Sequence, residues 1–442
     1  MPATFLTGAT GFIGSEILRR ILIREPERRV YALVRAGSEC AAAWRGREVL
    51  FRLFMDDDCA TGDALGRVRW LDGDLSRAGL GLAAPTAATV ADECDELIHA
   101  AASTAWDLPL DVAAAVNARG VEGMVELARA GARGARHAPP RLVHVSTAYV
   151  AGRRNGAIAP EDLPGPRGPF DNTYEETKAS AERFLRERMG ELPITVVRPS
   201  IVVGDSTTGR TFNFNVLYFP IKLLHRGMLP VIPGRRTTRL DVVPVDYVCD
   251  ALLALARDGA CAGKTYHLTA DDDAITVADF TRQVVAWFNE PRHAAGLPQL
   301  RPPRLVGPAT WTVLHWALRR RLHGRARYLL EAFQQYRPFI TTDKRFLATG
   351  TREALGARAA YPPVASYLRR VVDYAVTREW GKSVSWDPSV LKDRGEPDLV
   401  WRCANGHQSD GPGFTCRRCG ARMAPLPSQH AAAGSAATTV SG

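Results

Sequence analysis

Residues 4–20, TFLTGATGFIGSEILRR, constrain the fold more than any other part of the chain. An apolar run leads into three glycines spaced GxxGxxG, at Gly8, Gly11 and Gly14, and an amphipathic segment follows. That order reads as strand, tight turn and helix. Gly8 permits the sharp exit from the strand, and Gly11 lets backbone approach a pyrophosphate. Gly14 lets the helix pack close to the strand, so that its unpaired N-terminal amides face the phosphates. A glycine spacing alone is also met by ordinary loops. Its place between an apolar run and an amphipathic helix makes it a dinucleotide site.

The same alternation continues downstream. Strands are expected at 3–7, 30–35, 69–71, 96–100, 141–146 and 193–198, with helices over 12–23 and 108–130 and one carrying Tyr174 that ends near 189. Strands separated by helices of this length pair in parallel, so the expected class is α/β, a Rossmann-type doubly wound sheet. Beyond 203 the pattern loosens into loops such as VIPGRRTTRLDVVPVDYV, where a mostly helical substrate cap grows on such a core. Residues 309–336 read as a helix rich in Trp and Arg, and 363–380 as a closing helix. The expected organisation is a nucleotide-binding core over 1–203 and the remaining core strands with the cap over 204–381. A linker over 382–399, a compact cysteine-bearing element over 400–423 and a disordered tail over 424–442 complete it.

The 442 residues are enough to bury such a core and a second layer. No apolar stretch approaches the roughly 20 residues needed to cross a bilayer. The N-terminal strand runs into the glycine turn without a basic region or cleavage site, so a cytoplasmic protein is expected. Cys40, Cys59, Cys94, Cys249 and Cys261 are scattered and read as reduced thiols. The net charge of +10 is concentrated at 319–327 and around the last cysteines. It forms either a solvated helix face or a landing surface for an acidic carrier protein, a nucleotide phosphate or anionic lipid.

Tyr174 and Lys178, in NTYEETKASAERF, lie four apart and share a helix face. A free phenol titrates near 10, and a neighbouring lysine charge favours the phenolate. Such pairs are common on helix surfaces; this one gains meaning by following a parallel sheet that begins with a glycine turn. In LVHVSTAYVAG a buried strand ends at Ser146 and Thr147, where the Thr147 hydroxyl either bonds a substrate oxygen beside Tyr174 or caps the strand. In VVRPSIVVGD, Arg198, Pro199 and Ser200 end another strand, placed for contacts to a nicotinamide. Arg35 follows the second strand, where an NAD site usually carries Asp or Glu for the ribose hydroxyls. Arginine there suits a 2′-phosphate, so NADPH is the expected cofactor.

Together these motifs make residues 4 to about 260 resemble the extended short-chain dehydrogenase/reductase group. The closest resemblance is to its branch of fatty acyl-CoA reductases and carrier-protein thioester reductase domains. TGATGFIG, LVRA, GDL, IHAAASTAWDLPL, Asn117, HVSTAYV, YEETK, RPSIVVG and DVVPVDYV follow that pattern in order. YRPFITTDKRF and YPPVASYLRRVVDYAV also resemble the C-terminal region of acyl reductases. The resemblance implies catalysis by Thr147, Tyr174 and Lys178, with Asn117 as a structural or proton-relay residue. It implies Gly8, Thr10, Gly11, Phe12, Ile13 and Gly14 at the pyrophosphate and Asp74 and Leu75 near the adenine. Ala100 and Ala101 fall along the cofactor, Lys178 at its ribose, and Pro199 and Ser200 near the nicotinamide.

The implied substrate is an acyl thioester on coenzyme A or a carrier protein, reduced with NADPH to an aldehyde or alcohol. The same scaffold serves alcohol and ketone oxidoreductases and sugar-nucleotide epimerases. A 4,6-dehydratase is disfavoured, because Ala148 and Tyr149 follow Thr147 where that chemistry needs an acidic pair. A dinucleotide-sensing scaffold without catalysis is the alternative from another class.

Near the end, WRCANGHQSDGPGFTCRRCGARM spaces Cys403, His407, Cys416 and Cys419 as Cys-x3-His-x8-Cys-x2-Cys. Three thiolates and an imidazole suit tetrahedral structural Zn2+, whose binding would supply folding energy to a coreless segment. The stretch resembles a small zinc ribbon, expected to dock a partner protein. Nucleic acid is not expected, for lack of a recognition helix or aromatic platform.

Overall fold

The architecture is that of a computed structural model describing residues 1–54, 66–106, 108–134, 138–214, 216–381, 399–403, 408–409 and 423–427. Seven strands form the central sheet: Ala3–Thr7 (β1), Arg29–Val34 (β2), Val68–Asp72 (β3), Glu96–His99 (β4), Arg141–Val145 (β5), Ile194–Pro199 (β6) and Lys264–Leu268 (β7). All their pairings are parallel, in the spatial order β7-β6-β5-β4-β1-β2-β3. The chain runs outward from β1 to β3, then crosses back to β4. The order therefore reverses between β1 and β4, and the crevice at their C-terminal ends is where such sheets bind ligands.

Alternate side chains feed two cores, as a period of two requires. Leu6, Val30, Val143 and Val197 face the helices Phe12–Arg24 (α1), Glu39–Phe54 (α2) and, late in the chain, Val245–Arg257. Phe5, Tyr31, Leu97 and Val196 face Ala84–Glu93 (α3), Arg119–Arg133 and Thr173–Arg186. Burial on both faces explains why the strands read as nearly continuous apolar runs. β3 begins at Val68 and β2 at Arg29, each one residue before its expected start, and the doubly wound expectation holds.

The segment expected as one helix over 108–130 is two, Leu110–Asn117 (α4) and Arg119–Arg133 (α5), meeting at Ala118. Asn117, the last residue of α4, is bonded from outside the helix, as described below. Thr173–Arg186 (α6) carries Tyr174 and Lys178. Asn172 caps it, its Oδ1 accepting from Glu175 N at 2.9 Å, and Glu175 reaches back to Asp171 N at 3.1 Å.

The cap is built from Tyr218–His225 (α7), Val277–Ala294, Pro308–Arg321, Gly324–Gln334, Arg337–Thr341 and Val364–Thr377 around a separate apolar cluster. The last of these helices buries Val364, Tyr367, Leu368, Val371, Val372 and Ala375, one face at helical spacing. The helix expected over 309–336 breaks after Arg321, where Leu322 and His323 are extended and Gly324 adopts φ +55°. Among the described residues no helix is long and apolar enough to cross a membrane. Cys40, Cys94, Cys249 and Cys261 are free thiols.

The zinc expectation is corrected. Among the described residues no group of three or more His, Cys, Asp or Glu is placed to hold a metal ion. Leu399–Cys403, Gln408–Ser409 and Met423–Pro427 form a small antiparallel sheet in which Cys403 is registered opposite Met423. His407, Cys416 and Cys419 lie outside the described residues. A tetrahedral site needs its full ligand set, so no zinc is assigned, and the docking role expected of a zinc-folded element goes with it. Residues 382–398 of the expected linker and 428–442 of the expected tail lie outside the described residues, whereas 424–427, expected to be disordered, belong to the strand Met423–Pro427.

Candidate active site

The glycine turn sits at the crevice. Gly8 has φ +80°, and a Cβ there would meet Ala101 N at 2.6 Å and Ala100 C at 2.7 Å, so the end of β4 abuts it. Gly11 N donates to Gly8 O at 2.8 Å and begins α1 without a side-chain cap, leaving the first-turn amides to an outside acceptor. A Cβ at Gly14 would lie 2.2 Å from Gly8 O, so only glycine lets the helix come this near. Thr10 and Gly11 are exposed, and Phe12 and Ile13 half-buried. Thr10, Gly11, Phe12 and Ser15 line a cavity of about 190 Å³ shared with α2 and with Phe212 and Asn213. This cradle fits a dinucleotide pyrophosphate on backbone amides.

Arg35 lies exposed just past β2. The loop behind it is pinned by Asp72 Oδ1, which accepts from Ala36 N at 3.0 Å and Gly37 N at 2.9 Å. Asp74 accepts from Ser76 N at 2.9 Å and Ser76 Oγ at 2.7 Å. The backbone bond from Ser76 in particular, helped by nearby Arg35 and Arg77, holds its carboxyl below the usual range. Leu75 packs towards Gly120 on α5. Ala100 N and Ala101 N donate to Thr7 O and Thr7 Oγ1, each at 3.3 Å.

Thr147 is buried in an extended conformation just past β5, and its hydroxyl bonds the Tyr174 phenol. Burial, with Glu175 adding to it, pushes that phenol well above its ordinary range, while the Thr147 bond opposes the shift. The expectation that Lys178 favours the phenolate is corrected here. Lys178 Nζ donates to Val145 O at 2.6 Å and lies 3.1 Å from His144 Nε2, and burial brings its own pKa down to about 7. The site thus presents a protonated phenol braced by a threonine, with the lysine anchored on β5.

Asn117 is a clamp. Its Oδ1 accepts from Ser103 N at 2.8 Å, and its Nδ2 donates to Ser103 O at 3.2 Å and Thr177 Oγ1 at 3.0 Å. It joins the loop after β4 to α6. Arg198 also departs from expectation. It is wholly buried and doubly bonded to Glu182, with Nε–Oε1 at 2.9 Å and Nη2–Oε2 at 2.7 Å. Its guanidinium faces α6 because position 198 is even-phased on β6, opposite to Val197. Pro199 is buried at the strand end, and Ser200 Oγ donates to Asp241 Oδ1 at 2.5 Å.

Sequence reasoning passed over two kinds of residue. His99 and His144 are fully buried beneath the lysine, although a histidine inside the apolar strand LVHV was a visible signal. Phe339 packs edge-on against Tyr149 at 4.7 Å, and Trp106 packs on Phe339 at 5.2 Å and Tyr336 at 5.4 Å. This aromatic wall starts two residues past Thr147. Behind it lies a cavity lined by Ile201, Leu224, Leu240, Phe280, Phe333 and Ile340, among others. The segment 212–224 contributes to it. Trp311 is buried with its Nε1 donating to Gln334 Oε1 at 2.9 Å.

Residues 6–252 match the family model NAD_binding_4, described as male sterility protein. The chain is 27% identical over 293 residues to the fatty acyl-CoA reductase wat of Drosophila melanogaster, covering 58% of this chain and 54% of that protein. It is 31% identical over 268 residues to the L-2-aminoadipate reductase large subunit of Penicillium chrysogenum, covering 58% of this chain and 18% of the subunit. The chain thus spans about half of the first relative's length and under a fifth of the second's. The terminal R domain from the myxalamid PKS-NRPS biosynthetic pathway superposes with a TM-score of 0.69 at 25% identity, over 86% of this chain and 92% of that one.

Proposed function

We propose, for a chain that belongs to the NAD_binding_4 family of male sterility proteins, that it reduces acyl thioesters carried on coenzyme A or a carrier protein. The observation that carries this reading is the pairing of a protonated Tyr174 with Thr147, two residues before the Tyr149 that packs on Phe339, a residue lining the apolar cap cavity. The relatives named as an acyl-CoA reductase and an R domain agree with it.

Gly8, Gly11, Gly14 and the first-turn amides of α1 would hold the pyrophosphate, Asp74 and Leu75 would flank the adenine, and Ala100, Ala101, Pro199 and Ser200 would line the rest. When bound, NADPH supplies the hydride that the carbonyl carbon receives. The chain's own work concerns the oxygen and the proton. Thr147 Oγ1 and Tyr174 Oη donate to the carbonyl oxygen as charge develops there, worth about 2.7–4 kcal/mol for one oxyanion donor. Tyr174 then gives up its proton, leaving a neutral hemithioacetal. As the C–S bond breaks, the C=O re-forms and the hydroxyl proton leaves, with thiol and aldehyde as products. A second round gives the alcohol. The aromatic wall of Tyr149 and Phe339 keeps water from the acyl side of this site.

A coupled assay tests the reaction class. NADPH oxidation should release one free thiol per aldehyde formed. NADPH oxidation without thiol release would instead mark a ketone or alcohol oxidoreductase.

Arg35 is proposed to select NADPH through its 2′-phosphate. A charge-assisted bond of about 1.5–3 kcal/mol predicts that Arg35→Ala raises the NADPH Kd roughly 10- to 100-fold. NADH binding should stay unchanged, as fluorescence titration of both cofactors will show. The cavity, about 50 Å³ in this structure, is proposed to take the far end of the acyl chain. Leu240→Phe, which fills it, should lower kcat/KM for long-chain thioesters by about 10-fold or more while sparing short ones. A kcat/KM series over chain length checks this.

A further inference from the structure

A row of polar side chains crosses the sheet beneath the proposed active site. Thr7, His99 and His144 are registered side by side on β1, β4 and β5. Thr7 Oγ1 and His99 Nδ1 are 2.8 Å apart, and the two imidazoles stack with centroids 5.2 Å apart. The row ends at Lys178 Nζ, 3.1 Å from His144 Nε2. With Lys178 as an ammonium, which has only donors, His144 Nε2 accepts and its proton sits on Nδ1. His99 Nε2 and His144 Nδ1 have no partner, although both are buried. Buried orphans of this kind are costly in a core that apolar residues fill well at the neighbouring positions, and that cost asks for a use.

We propose that His144 is a positioning residue for Lys178: its Nε2 accepts from the amine, fixes it on β5 beside Val145 O, and ties it through His99 and Thr7 to the glycine turn. The row spans the distance between the strand that launches the pyrophosphate loop and the helix that carries Tyr174. A lysine held in this way keeps a fixed reach towards a cofactor ribose, and the loss of one of its two acceptors weakens the ammonium against the neutral amine. The titratable groups that bear on Lys178 are His144 on β5, His99 on β4, and Glu182 on its own helix, Glu182 being bound to Arg198 of β6. Of these, Glu182 favours the ammonium and burial opposes it. His99 and His144 are neutral, because burial and the Lys178 charge both push their pKa values down, that of His99 to about 3.

The proposal rests on the reductase reading for the lysine's task but is tested apart from turnover. His144→Asn and His144→Phe remove the acceptor at the Nε2 position, whereas His144→Gln keeps an amide oxygen there. NADPH binding to the full chain is followed by fluorescence from pH 5 to 9, with thiol release measured in parallel. Losing the acceptor should move the alkaline limb of NADPH binding down by about one pH unit. His144→Gln should return it to within a few tenths of the wild-type position. A limb that stays in place in His144→Asn or His144→Phe overturns the proposal, and so does an equal displacement in all three variants. The two acceptor-deleting variants differ in size and polarity, so loss of fold in one leaves the other to decide. A limb that moves as stated while no thioester is reduced upholds the positioning role and rejects the reductase reading.

Discussion

Tyr174→Phe should lower kcat on an acyl thioester by about 10²–10⁴-fold, the usual range for a lost general acid. The NADPH Kd should stay within about twofold. The structure gives the reason for this split. The phenol is pushed up by burial and by Glu175, so it enters the reaction with its proton on, and its partner is the Thr147 hydroxyl. Nothing in the cradle at Gly8, Gly11 and Gly14 depends on the phenolic oxygen, so binding is spared. Thr147→Val should cost less, about 10²-fold, because it removes one oxyanion donor and leaves the proton source in place. Single-turnover rates at saturating NADPH separate the two, since both changes act on the chemical step.

The second large effect concerns stability. Arg198→Met removes the guanidinium that binds both oxygens of Glu182, a carboxylate with no exposed side-chain surface. Breaking a buried pair costs about 3–5 kcal/mol, and the loss should fall at the lower end because Arg186 Nη2 stays 3.8 Å from Glu182 Oε2. The double change Arg198→Met with Glu182→Leu should recover most of that loss, since a buried ion pair can often be exchanged for apolar packing at little cost. Urea unfolding midpoints for the two variants and the parent give the comparison. Ser146 Oγ also donates to Glu182, and Ser146 precedes Thr147, so both variants should also lose some turnover. An equal loss of stability in the single and double variants would show that packing around α6, and not the stranded charge, sets the cost.

The parts of the fold legible in the sequence were those fixed by local chemistry. The glycine turn was legible because each of its three positions needs the absence of a Cβ for a different steric reason, and the distances at Gly8 and Gly14 bear out two of them. The central strands were legible because burial on both faces leaves only apolar runs. The division of the 108–130 helix was not; it falls beside Asn117, whose partners Ser103 and Thr177 lie 14 and 60 positions away. The same holds for Arg198. Its strand placed it near the nicotinamide side, but its phase on β6 turned it to Glu182. Lys178 was read as acting on Tyr174 from their shared helix face, whereas β5 supplies the acceptors that hold its amine. The break at Gly324 had a visible signal in the glycine itself, outweighed by the helical pattern on both sides.

The cap shows the same limit. Its helices were legible as amphipathic segments, but which of them close around a cavity depends on contacts such as Phe339 on Tyr149 that join residues about 190 positions apart. The basic run at 319–327 resolves partly into local pairing, with Arg319 bound to Glu331 at 2.9 Å and Arg320 stacked over Trp316. Trp316, Val313 and Tyr328 are exposed around it.

The account stands or falls on what happens to the thioester carbonyl. The most direct measurement is mass spectrometry of the products after incubation with NADPH and a panel of acyl-CoA and acyl-carrier substrates. The predicted result is an aldehyde or the corresponding alcohol, together with free coenzyme A or free carrier thiol, and neither formed by Tyr174→Phe at a comparable rate. Intact thioesters across the panel, with NADPH binding confirmed by fluorescence, would contradict the account and leave a ketone or alcohol oxidoreductase or a dinucleotide sensor in its place.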